Sequence, residues 1–120
     1  MTVRRLKGYT AESGRVFEYY FVGKRPALSS DPHSPATEYV FDVLTAGLPK
    51  TAVSVFLTAS AQAEWQNQHI RELSEPEQYA AAKMKLFGTL DEWEPPARAA
   101  KRVVIEPEEL ADLLLRAGVD

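Results

Sequence analysis

The sequence predicts an α+β domain: an antiparallel four-stranded meander, with a candidate fifth short strand, and helices packed on one face of it. Three observations lead there. Apolar and polar residues alternate with period two through the first half of the chain. The period changes to helical spacing from Ser60 onward. Connections between most of the early strands are short, which suits antiparallel neighbours, and strands followed by helices argue against a wound parallel sheet. The 120 residues fit one domain, spanning 1–120, with a single hydrophobic core.

The first strand is expected over Val3–Thr10 and the second over residues 15–22, joined as a hairpin through Glu12, Ser13 and Gly14. Within Val16–Val22, Phe17, Tyr19 and Phe21 share a face opposite Glu18 and Tyr20. In Glu38–Leu44, Tyr39, Phe41 and Val43 oppose Glu38, Val40 and Asp42. In Ala52–Thr58, Val53, Val55 and Leu57 oppose Ala52, Ser54 and Phe56. β-branched and aromatic residues dominate all three segments, as pleated surfaces prefer. Lys24–Ala36 holds three prolines and three serines and reads as a long loop.

Ser60–Leu73 carries Ala61, Trp65, His69 and Leu73 on one helical stripe. Ser74, Pro76 and Glu77 then spell a helix start, with Ser74 as N-cap and Glu77 as its capping-box partner. Tyr79, Ala82, Leu86, Leu90 and Trp93 form the apolar stripe of that helix, with Phe87 beside it. Glu94-Pro95-Pro96 should end it. Arg102–Ile105 is the candidate fifth strand. Pro107 opens a last helix, with Leu110, Leu113, Leu114 and Ala117 turned inward and Gly118 closing it.

Composition narrows the function classes. The sequence holds no cysteine, which removes disulfides and thiolate chemistry and suits the cytoplasm. The start, MTVRRLKGYT, has basic residues but no apolar run after them, so no secretory leader is expected. No stretch approaches the roughly 20 apolar residues that span a bilayer, so no membrane partner is expected. The net charge of −3 disfavours nonspecific nucleic-acid binding. Residues 1–25 are nonetheless basic, six cations against Glu12 and Glu18, and Tyr9, Tyr19 and Tyr20 lie among them. The interrupting glutamates keep this from being a nucleic-acid stripe.

Catalytic signatures are weak. His33 neighbours Ser29, Ser30 and Asp31 only in sequence, within a proline-rich segment that is a poor platform for catalysis. His69 has Glu72 three positions on, half a metal site at most. Gly23-Lys24-Arg25 lacks the upstream glycine and the following helix of a phosphate loop. No catalytic, cofactor or metal-ligating residue is therefore assigned, and a noncatalytic role is expected. The candidate interaction surface is the outer sheet face: Glu18, Tyr20, Glu38, Val40, Asp42 and Phe56. Its mixture of carboxylates and apolar groups suits a protein partner or self-association, there or at a strand edge. The alternative is a small-molecule-binding protein or weak enzyme with a pocket between helices and sheet, lined by Tyr19, Tyr39, Tyr79, Trp65 and His69.

Overall fold

The chain runs β1 (Lys7–Thr10), β2 (Val16–Leu28), β3 (Pro35–Leu44), β4 (Thr51–Thr58), α1 (Ala59–His69), α2 (Glu75–Asp91), β5 (Lys101–Ile105) and α3 (Pro107–Arg116). The structure is a computed structural model that describes residues 5–28, 35–93 and 101–118. Its strands form one mixed sheet in the order β1-β2-β3-β4-β5. The first four pair antiparallel, each with its chain neighbour. The fifth lies parallel to β4, because α1 and α2 carry the chain back before it starts.

Two glycines make the tight turns. Gly14 (φ 87°) donates its N–H to the Ala11 carbonyl at 2.8 Å, and Gly47 (φ 79°) sits in the turn closed by Leu48 N–H to Thr45 O at 3.0 Å. Positive φ of this kind is open to glycine without a Cβ clash.

The strands differ from expectation at both ends of the hairpin region. Arg5 and Leu6 are outside β1, and the segment expected as a loop from Lys24 to Ala36 is largely strand. Residues 24–28 extend β2, residues 35 and 36 open β3, and residues 29–34 lie outside the described residues. Two of the prolines are accommodated because of where they fall. Pro26 pairs with Thr37 in a part of β2 that β1 does not reach, so no described strand needs an N–H on its other side. Pro35 is the first residue of β3, where a missing donor costs little.

The first helix is shorter than its stripe. Thr58 caps it, its Oγ1 accepting the Ala61 N–H at 3.1 Å. It stops at His69 because Ile70 turns left-handed (φ 55°, ψ 39°), its N–H donating to Gln66 O at 2.7 Å. A β-branched residue is an unusual occupant of that conformation, and Ile70 is also 90% exposed. Leu73, beyond the turn, is buried all the same. The capping box on α2 forms as expected: Ser74 Oγ accepts from Glu77 N–H, and Glu77 Oε1 accepts from Ser74 N–H at 2.9 Å. Arg71 grips the same carboxylate with two bonds of 2.9 Å. Those bonds, with the Ser74 backbone, hold the Glu77 carboxyl down to about 2. The expected stop at Glu94-Pro95-Pro96 lies outside the described residues, and α2 ends at Asp91.

One buried cluster unites Phe17, Tyr19, Tyr39, Phe41, Val43, Val53, Val55 and Leu57 with residues of all three helices. Ala61 and Trp65 come from α1, Ala82, Leu86 and Leu90 from α2, and Leu110, Leu113 and Leu114 from α3. Aromatic rings fill its sheet side: Phe21 meets Tyr79 edge-on at 5.0 Å, and Tyr19 meets Phe87 at 5.6 Å. Tyr9 of β1 stacks on Phe87 at 4.1 Å and donates its hydroxyl to Asp91 Oδ1 at 2.8 Å. Asp91 also accepts the Glu12 N–H at 3.0 Å, so one carboxylate ties the first hairpin to the end of α2. Burial, then this bond, raises the Tyr9 phenol to about 12. No helix among the described residues is long and apolar enough to cross a membrane.

Two substitutions test this core. Phe41→Ala should cost about 3–5 kcal/mol in urea denaturation, through lost transfer energy and the cavity left behind. A change near zero would mean that the Phe41 face is not the core face. Tyr39→Phe should do the opposite, because the buried Tyr39 hydroxyl has no hydrogen-bond partner among the described residues. Removing it should leave stability unchanged or raise it by about 1 kcal/mol. A clear loss would mean that the hydroxyl is bonded in solution.

Candidate functional site

A side chain's face on a strand is set by its parity, and β2 changes parity once. Phe21 pairs with Phe41, but the next pair is Gly23 with Val40, so Val22 and Gly23 together oppose one residue. This β-bulge moves Arg25 onto the outer face, opposite Glu38, and Lys24 onto the other, opposite Tyr39. Lys24 there reaches Glu75 at the start of α2, at 3.3 Å.

On the outer face Arg25 Nε donates to Glu38 Oε1 at 2.8 Å. The Ser54 hydroxyl bonds the same carboxylate, and the charge of Arg102 lies close enough to act on it. Arg25 holds the Glu38 carboxyl below its ordinary range; burial opposes this, while Ser54 and Arg102 assist. Phe56 lies between Glu38 and Val104 in register, with the Arg102 guanidinium 4.7 Å above its ring centre. A second group forms one register step beyond Val40. Tyr20 pairs with Asp42, and Lys50 Nζ reaches Asp42 Oδ2 at 3.5 Å and the Tyr20 hydroxyl at 3.4 Å. Lys50 is held protonated above its ordinary range, first by the Tyr20 hydroxyl and then by the Asp42 charge.

All six residues expected on the outer face are therefore in register on one side of the sheet, but they are not equally accessible. Glu38 is 7% exposed and Phe56 only 1%, which corrects their expected place at an open surface. Cross-strand contacts consume both: Glu38 faces Arg25 and Ser54, and Phe56 lies beneath Arg102. Tyr20, Val40 and Asp42 are half-buried, and Glu18 is exposed beside Val16, itself 60% exposed. A dent of about 170 Å³ opens beside Val40, lined by Val22, Gly23, Lys24 and Arg25. It exists because Gly23 has no side chain at the bulge, where a Cβ would meet nothing within 4 Å.

Three neighbours of this face, Arg25, Lys50 and Arg102, are not among the residues expected there. Arg25 was hidden by the assignment of its segment to a loop. The available signal was Gly23, a glycine directly after a clean alternating run, where a bulge is common.

Of the alternative pocket residues, three sit in the buried cluster, Tyr79 packs against it and His69 lies outside it. Tyr19, Tyr39 and Trp65 are buried in the core, and the Tyr39 and Tyr79 rings lie 6.4 Å apart with Phe21 and Phe41 packed around them. His69 is exposed, its ring stacked on Trp65 at 4.1 Å and its Nδ1 2.9 Å from the Trp65 carbonyl. His33, Ser29, Ser30 and Asp31 lie outside the described residues. Among the described residues no three His, Asp or Glu side chains gather as a metal site would require. Comparison with protein-family models, curated proteins and solved structures returned no match.

The Glu38 cluster has a pH signature. A folded carboxyl held below its ordinary value of 4.5 contributes stability that is complete above that value. The contribution is lost as pH falls through the folded-state value. The stability difference between the wild type and Glu38→Gln, from denaturation midpoints, should therefore be largest near neutral pH and close as the solution is acidified. A difference that is flat from pH 7 to pH 3 would mean that Arg25 and Glu38 do not interact in solution.

Proposed function

We propose that this is a cytoplasmic, noncatalytic interaction domain that associates with a second copy of itself through the outer face of its sheet. The observation that carries the reading is the internal neutralisation of that face. Glu38 is compensated by Arg25, and Asp42 by Lys50, so covering them strands no charge and the desolvation penalty is reduced. Between the two pairs lie Val40 and its dent, with Tyr20, Ala52 and Val104 half-buried around them. Among the described residues, three anions on this face, Glu18, Glu38 and Asp42, balance three cations, Arg25, Lys50 and Arg102. A face without net charge suits a copy of itself better than a strongly charged partner, and two-fold pairing is the commonest form of association. The reading takes the three helices to pack on the opposite face, as their shared buried cluster with Phe17, Phe41 and Val55 supports.

The strand edge is the weaker route. Beyond Tyr19, β2 has no described partner on one side, yet that stretch carries the bulge, Lys24, Arg25 and Pro26. Bulges, cations and proline are the devices that keep an edge from adding another strand.

Light scattering after size exclusion, across a concentration series, tests the reading. The wild type should approach twice the mass of one 13.4 kDa chain as concentration rises. Val40→Glu, and separately Tyr20→Glu, should remain monomeric with an unchanged circular dichroism spectrum. A wild type that stays monomeric up to its solubility limit, or a dimer that both variants preserve, would overturn it.

A further inference from the structure

A second concavity is lined by residues of α2, β5 and α3. Its volume is about 340 Å³, within the range of small-ligand sites. Gly88 lies on its α2 wall. A glycine inside a helix costs about 1 kcal/mol relative to alanine, so its presence calls for a reason. Close packing is not that reason, since a Cβ at Gly88 would meet no atom within 4 Å. Its effect is to leave the wall of the cleft open.

The charged groups lining the cleft divide into satisfied and unsatisfied. Lys85 Nζ bridges from α2 to both oxygens of Glu109 on α3, at 2.8 and 3.1 Å. Arg116 pairs with Asp112 along α3 at 3.0 Å. Two groups remain. Lys101 of β5 has its ammonium 5.0 Å over the Trp93 ring and no carboxylate partner among the described residues. Glu92, just past the end of α2, has no cationic partner among them. Met84, Val103 and Leu113 supply the apolar part of the lining.

An ammonium and a carboxylate that have no ion-pair partner among the described residues, with an apolar wall beside them, form the complement of a molecule with the same three parts. We propose that this cleft binds an α-amino acid with an apolar side chain, its carboxylate directed to Lys101 and its ammonium to Glu92. The site is independent of the outer face, and neither reading requires the other. Recognition by two opposite charges favours the zwitterion over ligands that carry only one, because each single-charge ligand forgoes one of the two ion pairs.

The test is a titration of the full chain with L-leucine, followed by ¹H–¹⁵N NMR. Saturable shifts should appear in α2, β5 and α3, with a dissociation constant of about 1 mM or tighter. The probes 3-methylbutylamine and 4-methylpentanoate, each lacking one charge, should bind at least about tenfold more weakly. Lys101→Gln and Glu92→Gln should each remove that discrimination, the first against the amine and the second against the acid. Gly88→Leu should fill the cleft and abolish the leucine shifts while the thermal midpoint is maintained. Absence of saturable shifts with leucine, or equal binding of either single-charge probe, would overturn the proposal. So would leucine binding that survives Gly88→Leu in a folded protein.

Discussion

A strand has two faces and side chains alternate between them, so one inserted residue reverses every assignment that follows it. In β2 that insertion falls at Val22 and Gly23. Upstream of it, odd-numbered residues feed the core through Phe17, Tyr19 and Phe21. Downstream, the odd-numbered Arg25 stands on the outer face beside Glu38, and the even-numbered Lys24 points toward Glu75. Without the bulge Arg25 would lie on the aromatic face, where a guanidinium would need a partner of its own. The same displacement opens the dent beside Val40. The pairing of Arg25 with Glu38 and that of Lys24 with Glu75 thus rest on a single irregularity in the ladder.

Around this sheet a few polar contacts hold the connections. Asp91 ties the Tyr9 hydroxyl and the Glu12 backbone to the end of α2, across 82 and 79 positions of sequence. Arg71, Glu77 and Ser74 lock the joint between α1 and α2. Lys85 and Glu109 join α2 to α3, and Glu109 also accepts the Glu106 N–H at 2.8 Å at the start of α3. Each of these carboxylates satisfies more than one donor. Side-chain anchoring of this kind fixes orientations that apolar packing, which is nondirectional, leaves free.

Much of the fold was legible in the sequence because period-two and helical patterns are local. The inner-face residues of β2, β3 and β4, the capping box at Ser74 and the last helix from Pro107 followed from a few neighbouring residues each. The errors arose where a local signal was overridden. Pro26 and Pro35 suggest a loop, yet one lies along a side of β2 that no described strand pairs and the other at the first position of β3. The stripe through Leu73 suggests a longer first helix, but Ile70 turns left-handed and delivers Leu73 to the core by another route. Phe56 and Glu38 were placed on the correct face, while their burial depended on Arg25 and Arg102, which reach them from other strands. Parity could be read along one segment; the neighbours that cover a residue could not.

The sheet order also bears on how the chain finds its fold. From β1 to β4 every strand pairs with the one just before it, through turns or short connections, so these pairings need little loop closure. Pairing of β5 with β4 is different, because α1 and α2 intervene and the strands must align parallel. That contact carries the higher sequence separation and the greater entropic barrier. By sequence separation, the β4–β5 pairing has a greater loop-closure cost than any pairing within the meander. Until that pairing forms, the β4 edge that β5 will cover is open to other chains.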